Sequence, residues 1–143
     1  MQESVKAPAH LWIVGVLSLL WNAVGAFDYT ATELQLEFYM SQFTPEQLEY
    51  FYGFPAWAVG GWALGVWGSV FGSLGLLLRK SWAVLMFGVS LIGLVITTIY
   101  NFVVTDGAAA MGEGAVWFSL AIWLVAILLF LYARAMAKRG VLR

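Results

Sequence analysis

Four apolar stretches, free of any charged residue or histidine, govern what this chain can become: residues 11–27, 56–78, 82–104 and 115–133. Wound as helices, each reaches roughly 25–35 Å, which matches a hydrocarbon core of about 30 Å. Their apolar character is continuous rather than alternating, which argues against membrane strands. Composition agrees, with 62% of the 143 residues hydrophobic and 10% charged, where soluble domains run at about 45–50% and about 25%. A chain this short has too little interior to hide that much apolar surface from water. The expected fold is an all-α integral membrane protein, one domain over residues 1–143 built as a four-transmembrane-helix bundle with the lipid bilayer as its solvent.

Charge placement sets the expected orientation. The seven basic residues are Lys6, Arg79, Lys80, Arg134, Lys138, Arg139 and Arg143, and they fall in the two tails and the link between the second and third spans. The other two links, residues 28–55 and 105–114, hold no Lys or Arg. Basic residues stay on the cytoplasmic side of short loops, so both termini are expected there. The acids Asp28, Glu33, Glu37, Glu46, Glu49, Asp106 and Glu113 then lie outside. Val24-Gly25-Ala26 has the small-residue look of a signal-peptidase site. Trp21 and Asn22 late in the run, and Glu3 beside Lys6, argue instead that residues 1–26 are retained.

The outer link between the first two spans is too long for a simple turn. In Phe43-Thr44-Pro45-Glu46-Gln47-Leu48, Thr44 can cap a helix, Pro45 suits its first position and Gln47 completes a capping box. Gly53 and Pro55 end that helix. Upstream, over 30–41, Leu34 and Phe38 share one face while Glu33 and Glu37 share another. The segment 30–52, rich in Tyr and Phe, is expected to form two short amphipathic helices at the membrane surface, a layer that suits aromatic side chains.

Small residues mark the seams of the bundle. In the second span Ala58, Gly61, Gly65, Gly68, Gly72 and Gly75 recur alternately three and four apart, which keeps one face toward a partner. Gly15, Ser18, Asn22 and Gly25 repeat the spacing in the first span, as do Ser90, Gly93, Thr97 and Tyr100 in the third. Packing within one chain explains such a stripe most simply; a dimer seam is the functional alternative. Trp57, Trp62 and Trp67 lie five apart and so spiral around the second span rather than line one face.

The spans hold few polar groups. Asn22, Asp28, Thr97, Tyr100 and Asn101 reach a similar depth near the outer surface, and would form a small polar pocket if the first and third spans faced each other. The competing reading is a hydrogen bond between helices, since an amide away from water must find a partner. Cysteine is absent, which excludes disulfides, thiolate metal sites and thiol catalysis. The single histidine, His10, lies at the cytoplasmic edge, away from nearly all the carboxylates. No catalytic residue, metal site or cofactor is expected, nor a nucleic-acid partner. Ion-coupled transport usually needs a buried acid or base at mid-membrane, and the spans carry neither.

The run Leu11-Trp12-Ile13-Val14-Gly15, the run from Trp21 to Tyr29, Phe43-Thr44-Pro45-Glu46-Gln47-Leu48, Tyr52-Gly53-Phe54-Pro55-Ala56-Trp57 and Thr97-Thr98-Ile99-Tyr100-Asn101-Phe102 together resemble a group of small four-helix proteins of the proteobacterial inner membrane. The likeness covers most of residues 10–105. That group is largely uncharacterised, and some of its members carry an automatic "sugar transporter" label. The resemblance implies an inner-membrane location and supplies no functional residues. The expected function is non-enzymatic, acting through helix or periplasmic contacts with other membrane components or as a homo-oligomer. The alternative is a small-solute carrier, such as one for sugars, built from a homodimer.

Overall fold

Pro8, extended at φ −69° and ψ 152°, releases the first helix, α1 (Ala9–Glu33). A computed structural model describes residues 5–143 of the chain. After α1 come α2 (Glu37–Met40), α3 (Pro45–Tyr52), α4 (Ala56–Leu77), α5 (Trp82–Ile99), a π-helical turn over Tyr100–Val104, α6 (Gly107–Met111) and α7 (Glu113–Lys138). Four helical segments are long and apolar enough to cross a membrane: α1, α4, α5 with its π turn, and α7. Among the described residues there is no strand.

The amphipathic segment departs from expectation at its start. Residues 30–33 do not open a separate surface helix; they prolong α1, because Ala31 and Thr32 are buried and hold the helix on its course. Gln35 at φ 52° then ends it. Bonds from Gln35 N to Thr32 O (3.1 Å) and from Leu36 N to Ala31 O (2.9 Å) complete a left-handed helix stop. In α3 the capping box forms as the sequence implies, with Thr44 and Gln47 bonding each other's backbone amides.

The same left-handed stop closes α4, with Arg79 at φ 56° where glycine is usual. A side chain there costs about 1–2 kcal/mol, and this one spans a gap. Its guanidinium donates to Val141 O at 3.1 Å and to Val5 O, joining the two tails across the α4–α5 link. Arg143 N bonds Arg79 O (3.0 Å) and Ser81 N bonds Arg143 O (3.2 Å). Val141 and Leu142 are buried against Leu11, Leu76, Ala83, Phe87, Ala133 and Met136, the main apolar core. Both tails and the α4–α5 link thus share one end of the bundle, the terminal end. The α2–α3 segment and α6 occupy the other, the hairpin end.

α4 is the central helix. It packs most extensively against α5 and next against α1, while α7 leans on α5. The bundle therefore runs α1–α4–α5–α7, and its fourth edge, between α7 and α1, lacks the close backbone approach of the others. One third of α4's most apolar window is buried (33%), against 6% for α7.

Candidate functional site

Two stripes on α4 organise the interior. Gly61, Gly65, Gly68, Gly72 and Gly75 all meet α5, opposite Ile96, Leu94, Ser90, Phe87 and Ala83 in turn. A Cβ on Gly68 would lie 2.9 Å from the backbone nitrogen of Ser90 and 3.0 Å from the Met86 carbonyl, neither of which can step aside. Gly93 on α5 sits correspondingly against the backbone of Gly61 and Gly65. The Ser90 hydroxyl crosses the seam to Gly65 O at 2.6 Å.

The second stripe is polar and meets α1. Asn22 donates from Nδ2 to Ser69 O (3.1 Å) and to Ser73 Oγ (3.0 Å). Ser73 and Ser18 hydroxyls lie 2.8 Å apart, and Ser18 donates to Gly15 O at 3.2 Å. A single donor direction satisfies this chain, with Asn22 giving to Ser73, Ser73 to Ser18 and Ser18 to a backbone carbonyl. Ser73 is 0% exposed, and Asn22 and Ser18 are 7% exposed. Spacing explains the match: Ser18 and Asn22 are four apart on α1, Ser69 and Ser73 four apart on α4, and antiparallel packing sets one pair over the other. Towards the hairpin end the seam continues as Tyr29 edge-on to Trp62, with ring centres 5.0 Å apart.

The five residues proposed for one pocket are divided among four separate sets of contacts. Asn22 belongs to the α1–α4 seam, because α4 lies where the pocket required α5. Thr97 turns back on its own helix, to Gly93 O at 2.9 Å. Asn101 accepts from Tyr50 Oη at 2.5 Å, and Tyr50 lies 2.9 Å from Thr105 Oγ1. Tyr100 joins that hairpin-end group through its ring, against Phe54 (4.5 Å), Trp57 (5.5 Å) and Tyr50 (6.2 Å). Asp28 accepts from the Tyr39 hydroxyl.

The hairpin-end group depends on the π turn. Thr105 N reaches back five residues to Tyr100 O (3.0 Å), and Thr105 Oγ1 donates to the same carbonyl at 2.7 Å. α3 closes over it through Tyr50, whose hydroxyl also lies against Gly107. Burial pushes the Tyr50 phenol above its usual range. Tyr39 is raised further, first by burial and then by the bond and charge of Asp28, so both hydroxyls stay protonated as donors.

Trp57, Trp62 and Trp67 serve different neighbours rather than one cage. Trp57 meets Tyr100, Trp62 meets Tyr29 and Phe54, and Trp67 lines an open apolar groove with Ala23, Ala26, Phe27, Thr30 and Val70. Ser69, Ser73, Tyr39, Tyr50, Thr105 and Arg79 are the contributors that sequence reasoning left unlinked. Only Ser69 and Ser73 gave a readable signal, their spacing of four. Comparison of the chain with protein-family models, curated proteins and solved structures finds no match.

Proposed function

We propose that the chain is a non-enzymatic, multi-pass protein of a bacterial inner membrane, with both termini cytoplasmic, that acts by lateral contact with other membrane components. One observation carries this reading: the polar side chains of the two α4 seams are spent on bonds between helices or back to their own backbone. Such groups hold a bundle together and leave little polar surface for chemistry or for a solute path. A carrier would need a polar route along the bundle, so the contact reading is preferred to it.

The surface offered for contact is α7. Trp117, Leu120, Leu124, Leu128 and Leu131 are exposed and spaced to share one face. The hairpin end adds exposed Leu34 and Phe38. The orientation rests on the basic residues gathered at the terminal end.

Two measurements test the reading. A reporter active only outside the cytoplasm should give signal when fused after Gly107 and none after Arg143; the reverse overturns the orientation. A photo-crosslinking residue at Leu120 or Leu124, irradiated in native membranes, should yield a discrete protein adduct absent when the probe stands at Ser73. Adducts with lipid alone at both α7 positions would overturn lateral contact as the function.

A further inference from the structure

The open edge between α1 and α7 is spanned by side chains at two levels. In the half nearer the hairpin end Trp21 meets Phe118, ring centres 5.9 Å apart. At the terminal end His10 Nδ1 bonds the Tyr132 hydroxyl at 2.5 Å, the rings edge to face at 5.6 Å. Between these braces lies a cleft of about 310 Å³ lined by Val14, Val125, Leu128, Leu129 and Tyr132. Its α7 wall runs from Val125 to Tyr132, about 10 Å along the helix axis at 1.5 Å per residue. The cleft is apolar and its α7 wall follows the helix axis, which suits a hydrocarbon chain rather than a polar solute.

Its terminal-end mouth is cationic. Arg139 stands two turns beyond Tyr132 on the same face of α7. Val5 packs beside Gly140, which brings the neighbouring Lys6 to that corner. Lys6, His10 and Arg139 are all exposed. Among the described residues, the acidic side chains Asp28, Glu33, Glu37, Glu46, Glu49, Asp106 and Glu113 all lie toward the hairpin end, away from this corner. Where the Tyr132 hydroxyl donates to Nδ1, the His10 Nε2–H is left as a further donor. Arg79 is not part of this set, since its guanidinium is occupied by the Val5 and Val141 carbonyls.

We propose that the α1–α7 cleft seats an acyl chain of one anionic phospholipid of the cytoplasmic leaflet, with its phosphate held by Lys6, His10 and Arg139. The inference rests on the orientation given above, which puts this mouth at the cytoplasmic headgroup layer. Tyr132 links the two halves of the site, lining the cleft with its ring and bonding His10 with its hydroxyl. The bound lipid would close the one edge of the bundle that protein packing leaves open.

Native mass spectrometry of the full chain tests this, after exchange into mixed micelles offering phosphatidylglycerol and phosphatidylcholine in equal amounts. The expected spectrum shows one phosphatidylglycerol retained per chain in preference to phosphatidylcholine. Each of Lys6→Gln and Arg139→Gln should weaken that retention about fivefold, since a cation near an anionic surface contributes on the order of 1 kcal/mol. Leu128→Trp, which fills the cleft from an exposed position, should abolish it. Equal retention of the two lipids, or phosphatidylglycerol retained unchanged in Leu128→Trp, overturns the proposal. So does a dimer mass without lipid that disappears in Leu128→Trp, which would make the cleft a seat for a second copy. Should Leu128→Trp fail to fold, the exposed Arg139→Gln decides alone, with undiminished retention counting against the site. The reporter fusions separate the two claims: an inverted topology with selective retention intact would overturn the leaflet and leave the cleft occupied.

Discussion

The two seams of α4 hold the same helix by opposite means. Toward α5 the contact is made of glycines, with backbone against backbone and no room for a methyl group at Gly68. Toward α1 it is made of serines and an asparagine joined by hydrogen bonds. Where lipid is the solvent there is little hydrophobic force between helices, so close packing and polar bonds are the available means of association. They differ in tolerance. A glycine seam depends on the absence of atoms and fails when they are added where backbone meets backbone, as at Gly68, whereas a polar seam loses one modest bond at a time. The α4–α5 contact should therefore set the stability of the bundle, and the α1–α4 contact its register.

The largest effect expected from that contrast is at Gly68. Gly68→Ala should destabilise the protein by about 1–3 kcal/mol, and Gly68→Leu by more, because the atoms met are backbone. At Gly65 an added Cβ would find its nearest neighbour at 3.7 Å, an ordinary contact, so Gly65→Ala should change little. Thermal unfolding in detergent checks both; equal melting temperatures for wild type and Gly68→Leu would show that this face is not a seam.

Next come the polar bonds. Asn22→Leu or Ser73→Ala should each cost about 0.6 kcal/mol and no more than about 1.7 kcal/mol, the span measured for hydrogen bonds between membrane helices. A double-mutant cycle should find the two losses coupled, since both residues share one bond. Strict additivity would show that Asn22 and Ser73 act independently and would dissolve the register argument.

The smallest effect is expected at the hairpin end, at Tyr39, which belongs to neither seam. Tyr39 is raised above its ordinary value near 10 by burial and by Asp28, so the folded state keeps the phenolic proton that an unfolded chain releases. Its contribution is complete below about pH 10 and declines as pH climbs from there toward the folded value. Tyr39→Phe should flatten that alkaline decline in the melting temperature. An identical decline in the variant would assign the effect to other groups, Tyr50 first among them.

The spans were legible in the sequence because a long uncharged apolar run depends on composition alone. The glycine face was legible too, since a repeat of three and four identifies a face without naming its partner. Partners were the part that could not be read. Asn22 was set against Thr97 and Asn101 by depth, but depth does not say which helix stands opposite, and α4 intervenes. The π turn at Tyr100–Val104 likewise has no local signature, being held by Thr105 and the docking of Tyr50 from far along the chain. The extension of α1 to Glu33 was hidden for a similar reason, because the polar look of residues 30–33 gave no sign that Ala31 and Thr32 would be buried.

Arg79 gives the bundle an order of assembly. Its guanidinium grips carbonyls of residues 5 and 141, and its own carbonyl receives residue 143. In a chain made from its N-terminus, residues 141–143 emerge after every span has been synthesised. Until they arrive, the α4–α5 link lacks the bonds that fix it, Arg79 holds a strained backbone with half its partners missing, and the seat of Val141 and Leu142 in the core stands empty. Closure at this end thus follows the synthesis of all four helices, a latch thrown only once they are in place.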